Sequence, residues 1–158
     1  MKNSILISNK FKKAGWILLI PSVVLGVAVV LTDFEADWLN LKVFAVLYNQ
    51  VFEKTRSFQW VETNITNTVI GVLFIVGAML VSFSKEKNED EFIANLRLTS
   101  LLWAVCVNYI LLLLAFIFIY GTDFLSVMIY NMFTILIIFI VRFHFILYKN
   151  NKAITDEK

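Results

Sequence analysis

The side chains of this chain that could do chemistry are few, and most lie in apolar surroundings. Asn108, Asn131 and Thr134 all fall within long runs of Leu, Ile, Val and Phe. An asparagine amide carries donors and an acceptor that hydrocarbon cannot satisfy, so such residues either bind one another or line a path for a solute. Arg142 and His144 stand two positions apart near the end of the last run. On a helix that spacing puts them on different faces, which argues against a joint acid–base role. His144 is the only histidine and Cys106 the only cysteine. They can supply neither an internal disulfide nor a convincing His/Cys metal site. Cys106 reads as a small core residue and His144 as an interface anchor. Serines and threonines occur without a paired base, and no Walker A loop, Gly-x-Gly-x-x-Gly or His-Glu-x-x-His occurs. The apolar runs contain no Asp or Glu, the groups that coupled carriers place near the midplane. The expectation is therefore a protein that is not an enzyme, with no catalytic residue, cofactor or metal.

The elements that carry these residues are four apolar runs, at 14–31, 66–83, 99–120 and 124–148. Each has at least 18 residues, enough to cross a hydrocarbon core of roughly 30 Å as a helix rising about 1.5 Å per residue. Of the 158 residues, 59% are hydrophobic and 16% charged, more apolar surface than a soluble domain of this length can hide. Lipid must cover much of it. The net charge of +2 and the lack of a dense basic patch give no case for nucleic acid. Lys2, Lys10, Lys12 and Lys13 precede the first run as in a secretory signal, but the run is long and no small-x-small cleavage site follows. It reads as a retained first span. The predicted fold is all-α: a polytopic four-transmembrane-helix bundle with a small extracytoplasmic cap.

Basic residues orient the spans. The N-terminal arm, the 84–98 loop with Lys85, Lys87 and Arg97, and the tail with Lys149, Lys152 and Lys158 all carry bases, whereas the turn at Gly121 has none. The positive-inside rule places both termini and the 84–98 loop in the cytoplasm of a bacterial inner membrane. The extracytoplasmic loop, 32–65, is the only sizeable piece outside the spans. Leu39, Val43, Val46 and Leu47 fit a helical period, although 43–48 equally suits a short strand. The predicted cap is an interfacial helix, with Phe34, Trp38, Phe58 and Trp60 at headgroup level. Asn64-Ile65-Thr66 matches a glycosylation sequon, read here as a chance match.

On the opposite side, Asn88 is a candidate N-cap, with Glu89, Asp90 and Glu91 filling the first turn of a third helix that runs unbroken to Tyr120. A helix of that length exceeds the bilayer by about 18 Å, so roughly three turns project. The predicted inner-interface charges are Glu91, Arg97, Arg142 and His144, with Arg142 within reach of Glu91 or Asp90.

Helical phase gives each span one stripe of small or polar residues. Gly15, Ser22 and Gly26 align on the first span and Asn67, Gly71, Ala78 and Ser82 on the second. Arg97, Ala104, Asn108 and Ala115 align on the third, and Ser126, Tyr130 and Thr134, with Asn131 beside them, on the fourth. Small residues let helix backbones approach closely in lipid, so Ser22, Gly26, Gly71, Ala78 and Ser82 are the predicted packing positions. Pro21, the only proline, should fix a kink. Counted at 1.5 Å per residue, Asn108 lies about 13 Å from one membrane face, and Thr134 and Asn131 lie about 15 and 10 Å from the other. Asn108 can therefore reach Thr134 or Asn131.

The stretch Ser84-Lys-Glu-Lys-Asn-Glu-Asp-Glu-Phe-Ile-Ala-Asn-Leu-Arg-Leu, with Leu-Leu-Trp-Ala-Val and Tyr-Asn-Met-Phe-Thr downstream, resembles small, functionally uncharacterised four-span inner-membrane proteins of bacterial genomes. The resemblance covers most of the chain and implies no catalytic motif. The leading expectation is an accessory or regulatory membrane protein whose partners are the lipid bilayer and a protein at the cytoplasmic face, met by the charged start of the third helix. The alternative is an oligomeric channel or small-solute transporter lined by the fourth-span stripe. Oligomeric state is open at this stage.

Overall fold

The apolar runs fold as helices because length, composition and the need to satisfy every backbone amide in hydrocarbon leave no other open-ended structure. In the computed structural model, which describes residues 6–32, 36–48, 56–87 and 89–156, they are α1 (Lys10–Thr32), α2 (Thr66–Phe83), α3 (Glu91–Phe118) and α4 (Thr122–Asp156). All four are long and apolar enough to cross a membrane, and no more than a third of any span is buried within the protein, which leaves the rest to lipid. The chain is thus a mostly helical multi-pass membrane protein. Two helices overrun their apolar runs, α1 starting four residues before 14–31 and α4 continuing past Tyr148 to Asp156, whereas α2 coincides with 66–83 and α3 starts before 99–120 but ends at Phe118. Pro21 lies within α1.

The cap corrects the sequence reading. Among the described residues of that segment, 40–48 are not helical. Instead β1 (Asn40–Tyr48) and β2 (Arg56–Asn64) pair antiparallel, with Asn40 opposite Asn64 and Tyr48 opposite Arg56. The all-α description is therefore approximate. The physical reason is the partner strand: Trp60, Val61 and Thr63 favour extended backbone, and their pairing with Phe44, Val43 and Leu41 decides a segment whose own pattern fits both periods. The expected headgroup-level rings of Trp38, Phe58 and Trp60 are exposed, whereas Phe34 lies outside the described residues.

Contacts divide the chain into two compact units, Leu18–Phe74 and the combination of Met1–Ile17 with Ile75–Lys158. In the first, the base of the hairpin is tied by side chains. Thr66 Oγ1 accepts from the Ala36 N–H at 3.1 Å, Asn64 Nδ2 donates to the Ala36 carbonyl at 3.0 Å, and Asn64 Oδ1 accepts from the Thr66 N–H at 2.9 Å. The polar residues of the sequon are thus occupied in starting α2 and closing the hairpin. Leu19, Ser22, Ala36, Thr66 and Phe74 are buried.

In the second unit α3 packs along α4. They are joined by a short turn in which Gly121 takes φ of +76°, a left-handed conformation that glycine adopts without a Cβ penalty. Ala78, Val81, Ile93, Leu96, Ala104, Ala115, Phe139, Ile140 and Phe143 form its core. A parallel bridge between Ile7 and Ser84 joins the N-terminal segment to the end of α2, with Ile7 N–H donating to Phe83 and Lys85 N–H to Ile7, both at 2.9 Å.

Candidate functional site

Two polar places stand out in this second unit. The first is the amide pair between α3 and α4. Asn108 Nδ2 donates to Asn131 Oδ1 and Asn131 Nδ2 donates to Asn108 Oδ1, each at 3.1 Å. Asn108 is 1% exposed. Of the two partners within reach by depth, Asn131 is the one engaged; the Thr134 hydroxyl donates to the Tyr130 carbonyl of its own helix at 3.0 Å. Ser100, Ala104 and Ala115 are buried along the same stripe of α3, which allows close approach of α4. Ser126 and Tyr130 are exposed. A recess of about 160 Å³ is lined by Leu111, Leu112, Val127, Tyr130, Asn131 and Thr134.

The second place is the charged end. Asn88, the candidate cap, lies outside the described residues. Asp90 caps α3 instead, its side chain accepting from the Ile93 N–H at 2.8 Å. Glu89 turns back and grips Arg97 with both oxygens, at 2.7 and 3.3 Å, and also accepts the Glu86 N–H at 2.9 Å. Burial raises the Glu89 pKa, but the Arg97 hydrogen bond, the Glu86 amide and the charges of Arg97 and Lys85 outweigh it. The carboxyl is held below the usual glutamate range. Arg97 also reaches the Ser84 carbonyl at 3.3 Å and lies 5.4 Å from the centroid of Phe143. Lys12 pairs with Glu86, and the Asn9 amide donates to the Lys85 carbonyl at 2.6 Å.

The remaining predicted residues are distributed as follows. Glu91 is exposed. Arg142 sits over the Trp103 indole, 4.4 Å from its centroid, rather than on Glu91 or Asp90. An aromatic face holds a guanidinium in apolar surroundings without a second charge. His144 Nδ1 lies 2.9 Å from the Ile140 carbonyl, and its ring meets the Trp16 ring edge-on at 5.2 Å. Cys106 is exposed on the helix surface, not in the core. Ser22, Ala78 and Ser82 are buried, Gly26 and Gly71 half-buried, and Asn67 exposed.

Sequence reasoning missed Lys12, Trp16, Glu86 and Trp103. Each meets its partner across a gap in sequence, and no short-range spacing signals such pairs. The lysines before α1 and the acids after α2 were the available clue to Lys12 and Glu86. Among the described residues, no group of His, Cys, Asp and Glu is placed to hold a metal ion. Comparisons with protein-family models, curated proteins and solved structures found no match.

Proposed function

We propose that this chain is a non-enzymatic accessory or regulatory membrane protein that engages a protein partner through the first turns of α3. It is best placed with small four-span bacterial inner-membrane proteins, with both termini and the 84–90 loop in the cytoplasm, as the distribution of lysines favours. The observation that carries the reading is the division of labour at the start of α3. Glu89, Asp90 and Arg97 are committed to internal bonds, and Ile93 and Leu96 are buried. Glu91, Phe92, Asn95 and Leu98 remain exposed, at positions that share one helix face. α3 is about 42 Å long, roughly 12 Å more than the hydrocarbon core. This face therefore extends beyond the lipid on a braced support. Phe92 and Leu98 are its apolar contacts and Glu91 its charge.

The test is native mass spectrometry of protein extracted with its surrounding membrane. A second polypeptide in fixed stoichiometry, lost on Glu91→Lys with Phe92→Ser and Leu98→Ser while helix content is kept, supports the reading. A chain that travels alone, or a complex indifferent to these changes, removes it.

A second reading, an oligomeric channel or small-solute transporter, is favoured by the recess at Tyr130, Asn131 and Thr134. Ser126 and Tyr130 face away from the chain's own core, so a path along them requires neighbouring copies. Flux through proteoliposomes that is lost on Thr134→Leu with Tyr130→Leu supports this reading. A monomer without flux removes it.

A further inference from the structure

A recess of about 470 Å³ opens at the charged end, lined by Asn9, Lys12, Lys13, Trp16, Glu86, Lys87, Ile93 and Leu147. Its size falls within the range of about 300–1,000 Å³ typical of ligand clefts. We propose that it binds the headgroup and glycerol region of an anionic phospholipid.

Charge is the first argument. Glu86 is the one carboxylate in the lining, and it is already paired with Lys12. Lys13 and Lys87 are exposed and form no ion pair among the described residues. The recess therefore keeps two uncompensated ammonium groups beside the Asn9 amide. Phosphate is the anion that such point charges hold.

Amphipathicity is the second. Behind the lysines the wall is Trp16, Ile93 and Leu147. A soluble anion gains nothing from that surface, whereas a phospholipid brings its glycerol backbone and first acyl carbons to it. Trp16 lies one turn deeper in α1 than Lys12 and Lys13, and indole rings favour this depth because the ring is apolar and its N–H is a donor.

Position is the third. Lys12 and Lys13 stand in the first turn of α1, Ile93 stands in the first turn of α3, and Leu147 lies near the far end of the α4 span. These are span ends, and span ends meet headgroups. Basic recesses between transmembrane helices recognise anionic headgroups by the same physics.

The experiment uses the full chain in nanodiscs of equimolar phosphatidylglycerol and phosphatidylcholine, read by native mass spectrometry of retained lipid. Phosphatidylglycerol should be retained preferentially. Lys13→Gln with Lys87→Gln should lower the preference on the order of tenfold, given the surface-charge energy of two lysines. Lys149→Gln with Lys152→Gln removes the same charge from exposed positions outside the recess and should leave the preference nearly intact. Equal retention of the two lipids overturns the proposal, as does an equal loss in both variants, which would reduce the effect to general surface attraction. Displacement of phosphatidylglycerol by millimolar inorganic phosphate would assign the recess to a soluble anion and overturn the lipid assignment.

Discussion

The two compact units meet the membrane problem in opposite ways. The unit of α3, α4 and the charged end turns its polar chemistry inward: Asn108 on Asn131, Glu89 on Arg97, Arg142 on Trp103. The unit of the hairpin ties polar side chains at its base and displays its rings. Phe44, Phe58 and Trp60 are exposed, with Phe44 packed edge-on against Trp60 at 5.6 Å across the strands. The contrast teaches where each residue type is stable. In hydrocarbon an unpaired amide or charge is costly, so it must find a partner. At the headgroups an aromatic ring with a polar edge is favoured without any protein partner. One unit is therefore expected to be sensitive to lost partners, the other to be tolerant.

The largest break in that comparison should come from Arg97→Ala. It strands a half-buried Glu89 and frees the Ser84 carbonyl, and losing one member of such a pair costs about 2 kcal/mol, between the values for exposed and buried pairs. Thermal unfolding in detergent should show a clear drop. The same pair sets a pH dependence. Because Glu89 is held below its ordinary range when folded, its stabilisation is complete above the unfolded glutamate value and disappears as pH falls through the lower folded one. Glu89→Gln should flatten that acid limb. An unchanged limb would show that Glu89 is not the group responsible.

Close in size are two glycines on the same predicted stripe of α1, one in each unit. A Cβ on Gly15 would lie 2.9 Å from both Leu80 Cβ and the Val81 backbone nitrogen. The backbone atom cannot yield cheaply, so Gly15→Ala should cost about 2 kcal/mol, overpacking outweighing the helix-propensity gain. A Cβ on Gly26 would meet only Ile70 Cγ2 at 3.7 Å, an ordinary contact. Gly26→Ala should be neutral or stabilise by up to about 1 kcal/mol. Equal effects of the two changes would erase the distinction between a tight and a tolerant unit.

Smaller again is the amide pair. Asn108→Ala and Asn131→Ala should each cost about 1 kcal/mol, and the double variant less than their sum, because each single change also leaves the other amide unpaired. Additive costs would mean that the two amides act independently.

The difference between the units also explains what was legible in the sequence. Apolar length alone marks a span, so the four helices could be read directly, with their ends shifted by a few residues. Phase on α3 grouped Ala104, Asn108 and Ala115, and depth brought Asn131 within reach, because helix geometry is regular enough to count along. The hairpin was not legible. Whether 43–47 coils or extends is decided by 57–61 across the strands, and local pattern does not encode a partner. The partners of Arg142 and Lys12 were hidden for the same reason. Complementary charge pointed to Glu91 or Asp90 for Arg142, whereas the apolar setting favoured the face of Trp103.

The smallest expected effect tests the tolerant unit itself. Trp60→Ala removes one exposed cross-strand ring contact and should cost only about 0.5 kcal/mol. Stability alone is then a weak readout, and depth is a better one. A variant with Trp16, Trp38 and Trp103 changed to Phe keeps Trp60 as its only indole. On the hairpin face that carries Phe44 and Trp60, the neighbouring cross-strand pair is Lys42 with Glu62, an ion pair at 3.1 Å with both side chains exposed. Charges so close along the strands hold that face near water, so the ring should rest among headgroups. Lipids brominated high on the acyl chain should quench Trp60 more strongly than lipids brominated near the chain end. Quenching by neither would place the rings in water and make them a surface for another molecule. Deep quenching would require Lys42 and Glu62 to enter hydrocarbon as a pair, and the tolerant unit would then obey the same rule of inward partners as the other.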